Sequence, residues 1–263
     1  MEILFASDLH GNEKVYEKLF DLIKKRAITK VILGGDLCPH LRTTLQAGIN
    51  AQKHFLDWLV KKIDTSNAEF FAMLGNDDFR INAPILERAG EKGTLQYLHK
   101  KSHRLGNFNI VGYSFVSQMP FLLKDWEKPD IKDSIPLTNP SMDVRTIEKE
   151  NGTIEEDLIE LKKLSDPKKT IYVMHAPPFR SSLDTISGNR HVGSKSIRKF
   201  IEQEQPPLTL HGHIHESYEL SGKYIERIGK TICINPGSSH ISSNLNCAIF
   251  ELENLNNMGH YII

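Results

Sequence analysis

Three histidines, His211, His213 and His215, alternate within residues 209–217, which read TLHGHIHES. In an extended strand, positions i, i+2 and i+4 share a face, so the three rings are expected to line up toward one point if this stretch stays extended. A solvated histidine face and a metal-binding edge both fit that pattern. Other short segments supply groups of matching chemistry: Asp8 and His10 in SDLHGN, Asp36 in GGD, Asn76 in GND and His175 in MHAPP. All offer oxygen or imidazole nitrogen, which suits hard or borderline divalent cations, and only the nearby Cys38 would add sulfur. Taken singly, each is an ordinary cap or turn at the end of a strand. Gathered at one sheet edge, such groups cost on the order of several kcal/mol in lost solvation unless a cation compensates them.

The elements that would gather them are legible as apolar runs. Residues 2–6, 30–33, 69–74, 170–174, 208–210 and 230–234 are short, apolar and end in polar or glycine-containing clusters, as buried strands do. Between the first two, Val15, Leu19, Leu22, Ile23 and Ala27 recur at spacings of three and four behind Asn12, which predicts an amphipathic helix with an asparagine N-cap. A second helix is expected near residues 44–63, with Phe55, Leu56, Leu59 and Ile63 on one face. Strand, helix and strand form a parallel βαβ unit, an α/β pattern whose ligand sites lie beyond the carboxyl ends of the strands. From about 113 to 166 the character changes. Pro120, Pro129, Pro136 and Pro140 argue against a central strand there, and TIEEDLIELKKL reads as one charged helix. This stretch is expected to be an insertion in a single domain spanning residues 1–263, decorating the body or covering a pocket. The tail, CAIFELEN and then GHYII, is expected to close a sheet as a hairpin.

Composition narrows the function classes. A chain of 263 residues that is 39% hydrophobic can bury a full core. Its 33 basic and 33 acidic residues cancel, which argues against long nucleic acid or an anionic membrane surface as partner. Cys38, Cys233 and Cys247 are odd in number and scattered, so a reducing compartment is expected. The start, MEILFASD, is too short and too quickly acidic for a signal peptide, and no window approaches the ~20 apolar residues of a membrane span. A cytoplasmic location is the expectation.

In their order along the chain, SDLHGN, GGD, GND, MHAPP and HGHIH resemble the calcineurin-like metallophosphoesterases. That family's pattern is Asp-x-His, Gly-Asp, Gly-Asn-His-Asp/Glu, His and then Gly-His-x-His. The resemblance runs from residue 3 to about 238, apart from the insertion. It implies a four-layer α/β/β/α sandwich with two mixed sheets. It also implies a hydrolase for small phosphate esters with two divalent ions, from among manganese, iron, zinc and cobalt, acting through a metal-bridging hydroxide. Carried over by position, Asp8, His10, Asp36 and His215 would hold the first ion. Asp36 would bridge to the second, completed by Asn76, His175 and His213.

His211 falls outside that motif and is expected to be a polar residue leaving the strand rather than a partner that orients a neighbour. Asp77 stands where many family members have histidine, a group that steadies the phosphate and protonates the leaving oxygen. A carboxylate facing an anionic ester would be repelled, so Asp77 is expected to be a neutral acid or to be turned aside. The preferred substrate is then a phosphodiester or another ester with a good leaving group. Asp78 matches the family's acidic position. Arg42 and Arg80 could grip a phosphate oxygen, although solvated surface arginines are the plainer reading. His40, His54 and His240 match no ligand position, Asn235 and Gly237 are expected to shape a closing turn, and Cys38 to pack. A non-catalytic interaction scaffold on the same fold is the alternative. The missing histidine suits it, and the complete set of seven ligand positions argues against it.

Overall fold

In the computed structural model, which describes residues 2–40 and 44–263, strand β1 (Glu2–Ala6) leads to helix α1 (Glu13–Arg26). The Asn12 side chain accepts from the backbone N–H groups of Lys14 and Val15, and Ala27 ends the helix in the left-handed region. The unit repeats through β2 (Lys30–Leu33), α2 (Leu45–Asp64), β3 (Glu69–Ala72), α3 (Ala83–Glu91) and β4 (Gln96–Tyr97). Thr44 caps α2 through the N–H of Ala47. Next come β5 (Ser102–Leu105), β6 (Phe108–Tyr113), α4 (Ile154–Leu161), β7 (Thr170–Met174) and the two-residue strands β8 (Thr185–Ile186) and β9 (Arg190–His191). The chain closes with α5 (Lys195–Glu204), β10 (Leu208–Leu210), α6 (Ser217–Ser221), β11 (Ile225–Ile228), β12 (Thr231–Ile234) and the hairpin of β13 (Asn246–Glu251) and β14 (Asn254–Ile262).

Two six-stranded mixed sheets result, ordered β14-β13-β1-β2-β3-β4 and β11-β12-β10-β7-β6-β5. The inner strands are parallel, and antiparallel β13, β11 and β5 flank them. Alternation along each strand sorts the core. Ile3, Phe5, Ile32 and Phe71 of the first sheet share one buried cluster with Ile110, Ile171, Val173 and Leu208 of the second. The intervening residues Leu4, Val31 and Phe70 join Val15, Leu19 and Leu56 of the helices, and Tyr172 and Met174 join Leu158, Ile197 and Ile201. Each fully buried side chain of this kind contributes about 1.5–3 kcal/mol. None of the described helices is long and apolar enough to cross a membrane.

Two local expectations change. The alternate histidines do not ride on one strand face, because β10 stops at Leu210 and His213 turns into the left-handed region at φ 68°. The third strand also stops early, at Ala72, and Met73 and Leu74 carry the chain, still buried, into the site loop. Residues 114–153 lie between the parallel neighbours β6 and β7 and hold no strand or α-helix, only a 3-10 turn at Pro140–Met142. The charged helix follows as α4, opened by a capping box between Thr153 and Glu156.

Candidate metal centre

The loops after β1, β2, β3, β7 and β10 place Asp8, His10, Asp36, Asn76, His175, His213 and His215 together. Backbone bonds lace the first two loops to each other: Asp8 N to Gly35 O at 3.0 Å, His10 N to Asp36 O at 2.9 Å and Gly11 N to Leu37 O at 2.8 Å. Four of the candidate donors sit at positive φ: Asp8 at 58°, His10 at 46°, Asp36 at 50° and His213 at 68°. Such a conformation costs a non-glycine residue roughly 1–3 kcal/mol and persists where the surroundings over-determine it. Glycine is required where loops touch. A Cβ on Gly75 would come within 2.3 Å of Asp36 Oδ1, and one on Gly212 within 2.2 Å of Asp8 Oδ2.

Asp8, His10, Asp36 and His215 have donor atoms within 4.8 Å of one another. Nε2 of His10 faces Nε2 of His215 at 3.0 Å, and His215 Nε2 lies 3.3 Å from Asp8 Oδ1. Two ring nitrogens at that distance hold at most one proton between them, so a lone pair is directed into the space they share. Beside this group, Asn76 Oδ1 lies 3.0 Å from His175 Nε2 and 2.6 Å from His213 Nδ1. Asp36 Oδ2 stands between the two sets, 3.3 Å from His175 Nε2 and 3.9 Å from His10 Nε2.

Burial pushes the Asp36 carboxyl up to about 7, with Asp77 and Asp8 adding to it against the pull of His175. Burial opposes a charge on His175, yet the nearby Asp36 and Asp8 raise it to about 10. Burial, reinforced by neighbouring imidazoles, lowers His10 to about 2 and His213 to about 3. A proton on His175 thus supplies positive charge beside the buried carboxylates that a cation would otherwise supply. Buried oxygen donors, neutral imidazoles and a shared central carboxylate fit a pair of borderline divalent ions.

Several side chains take positions that their sequence context did not suggest. His40 and His240, which match no ligand motif, belong to the site. Their ring centroids lie 4.0 and 4.3 Å from that of His10, and His40 is stacked on it. The available signals were proximity in the chain to Asp36 and to the NPGSSH turn. His211 is fully buried rather than leaving the strand as a polar residue: its Nδ1 lies 2.9 Å from the carbonyls of both Met174 and Ala176, and its Nε2 is 2.8 Å from Thr209 Oγ1. It therefore braces the backbone on both sides of His175. Arg80 is no phosphate grip, because it pairs with Glu150 at 2.5 Å and lies over the rings of Trp126 and Phe115. Arg42 lies outside the described residues, and His54 is exposed on α2.

Asp77 turns its Oδ2 to His40 Nδ1 at 3.0 Å and accepts from Asn76 Nδ2 through Oδ1 at 2.9 Å. Burial would raise its carboxyl, but His40 and His10 outweigh that and hold it at about 2, opposite to what a neutral acid needs. Asp78 is buried and accepts from the N–H groups of Gly75, Leu37 and Cys38 at 2.8–3.0 Å, tying two site loops together. Asn235 Nδ2 donates to the carbonyls of Leu183 and Gly212 while its Oδ1 accepts from Gly237, whose φ of 69° makes the closing turn. Cys38 is packed and inaccessible.

The parallel strands of two mixed sheets thus end on one cluster of carboxylates and imidazoles. The chain belongs to the calcineurin-like phosphoesterase family, whose profile matches residues 1–217. It is 44% identical over 73 residues to an uncharacterized protein of Methanocaldococcus jannaschii, a match spanning 26% of this chain and 31% of that relative. A crystal structure of a Thermus thermophilus protein superposes with a TM-score of 0.64 at 15% identity, covering 99% of this chain and 98% of that one. Another crystal structure reaches a TM-score of 0.70 at 16% identity over the same shares of the two chains. Both are similar in fold.

Proposed function

We propose that the protein hydrolyses phosphodiesters with two divalent ions, one held by Asp8, His10, Asp36 and His215 and the other by Asp36, Asn76, His175 and His213. The observation that carries this reading is the position of the Asp36 carboxylate between two converging donor sets. When bound, a pair of such ions acidifies a water between them and neutralises charge growing on the phosphoryl oxygens. The chain's own residues explain the preference for diesters. Asn76 supplies an oxygen without adding negative charge, and Asp77, held ionised by His40, repels a doubly charged monoester more strongly than a singly charged diester. Manganese, iron, zinc and cobalt all suit these donors. Three buried, unpaired cysteines support a cytoplasmic location.

Metal analysis of the purified protein, with turnover of bis(p-nitrophenyl) phosphate and p-nitrophenyl phosphate under each cation, tests the reading. Two ions per chain and faster hydrolysis of the diester are expected. A protein that retains no ion and cleaves neither ester is the interaction scaffold instead.

A further inference from the structure

We infer that Arg180 and Lys195 form a binding site for a phosphate group, separate from the candidate metal ligands. The inference does not depend on the phosphoesterase reading, because it rests on side chains that the metal centre does not use.

The framework is built around Asp184, which is fully buried. Its carboxylate accepts from the backbone N–H groups of Arg180, Ser181 and Gly193 at 2.9–3.1 Å and faces His191 Nδ1 at 2.7 Å. Phe179 N donates to Ser194 O at 3.0 Å and Ser194 N to Pro177 O at 2.9 Å, so the turn after His175 runs beside residues 193–195. Asn235 Nδ2, shared between the carbonyls of Leu183 and Gly212, ties this hairpin to the loop of His213.

On that framework Arg180 and Lys195 set their cationic ends 5.5 and 5.4 Å from the centroid of the half-buried Phe179 ring, with the His191 ring at 6.3 Å. Attraction to the ring holds both cations around it without neutralising them. Neither pairs with a carboxylate among the described residues, whereas the adjacent Arg198 and Lys199 pair with Glu202 and Glu155 at 2.6 and 2.7 Å. The buried acids nearby are already occupied: Asp184 as above, and Asp130 by the N–H groups of Lys195 and Ser196 and the Ser194 hydroxyl. Those contacts also fill the start of α5, so side chains rather than a helix end make the site. Arg180 sits at φ 55°, a conformation that strains any side chain and that glycine would take freely, yet the position carries an exposed guanidinium. Its planar fork matches two oxygens of a phosphate, and the lysine ammonium adds a point charge for a third.

The test follows the full-length protein by amide-resolved NMR while inorganic phosphate is added, with a chelator present and sodium chloride at matched ionic strength as the control. Saturable shifts centred on residues 179–195 are expected with phosphate and not with chloride. Arg180→Gly removes the guanidinium and relieves the backbone, so phosphate binding should weaken roughly tenfold or more while the thermal midpoint stays near the parent value. Lys195→Met should weaken it to a similar degree. Shifts that are absent from this turn, equal with chloride, or unchanged in both variants would overturn the inference. Propyl and phosphopropyl p-nitrophenyl phosphate then tell a phosphate on the substrate from free phosphate. A lower KM for the phosphopropyl ester, lost in Arg180→Gly, assigns the site to the substrate, and equal KM values beside intact NMR shifts assign it to free phosphate. If neither ester is cleaved, the phosphoesterase reading fails, and the phosphate titration still decides this one.

Discussion

Two regions bury carboxylates and treat them in opposite ways. In the segment after β6 the buried lysines are matched by carboxylates of the protein's own, while Asp125 and Asp130 accept from backbone N–H and hydroxyl groups. Lys128 Nζ bonds Glu150 and Asp157 at 2.8 and 2.7 Å, Lys124 pairs with Glu127 at 2.6 Å, and Arg80 and Lys100 also reach Glu150. At the strand ends Asp8 and Asp36 face histidines, and no lysine or arginine pairs with them among the described residues. The first arrangement is electrostatically closed and holds the segment against the body, with Trp126 Nε1 donating to Asp78 O at 2.9 Å. The second is left open on the side where a mobile cation would enter. Asp8 and Asp36 are more deeply buried than Glu150 and Asp157, yet it is the less buried pair that has lysines beside it, so the difference lies in which partner completes the charge.

Breaking the open side should have the largest effect. Asp36→Asn removes the group shared by both donor sets. Activity on bis(p-nitrophenyl) phosphate is expected to fall by at least the ~100-fold that even an outer partner of a metal ligand can cost, with a matching loss of bound metal by elemental analysis. Breaking the closed side should act on stability. Lys128→Met leaves Glu150 and Asp157 without their buried partner and is expected to cost about 3–5 kcal/mol in urea unfolding while metal content stays at the parent value.

A subtler probe of the open side is His211→Phe, which keeps a ring but removes the contacts beside His175. Metal affinity should weaken roughly tenfold or more with little change in fold by circular dichroism. The smallest expected effect sharpens the closed side. Burial would raise the Glu150 carboxyl, but Lys100, Lys128 and Arg80 outweigh it and hold it at about 2, below its ordinary 4.5. Its folded-state pKa is depressed, so its stabilising contribution is complete above about 4.5 and is lost as pH falls toward 2. Glu150→Gln should therefore flatten the stability profile between those values. An unchanged profile would mean that the ion cluster does not act as a unit.

The comparison also separates what could be read along the chain from what could not. Donors at the ends of apolar strands were legible because strand ends are where backbone pairing stops and polar turn residues must begin. Asp8, His10, Asp36, Asn76, His175, His213 and His215 all stand at such ends and all meet. The settings of His40, His211, His240 and Arg80 are not legible along the chain, because their partners come from elsewhere in it: Asp77, the carbonyls around His175, the His10 ring and Glu150. No local pattern encodes those meetings.

By itself, the order of apolar runs and polar stops determined the α/β elements and the types of donor group at their ends, since periodicity and turn chemistry act over a few residues. Only tertiary structure decided which imidazoles converge on the carboxylates and which brace or wall the site. Those choices depend on loops packed side by side, on left-handed residues such as Asp8 and His213, and on glycines that let neighbouring loops touch.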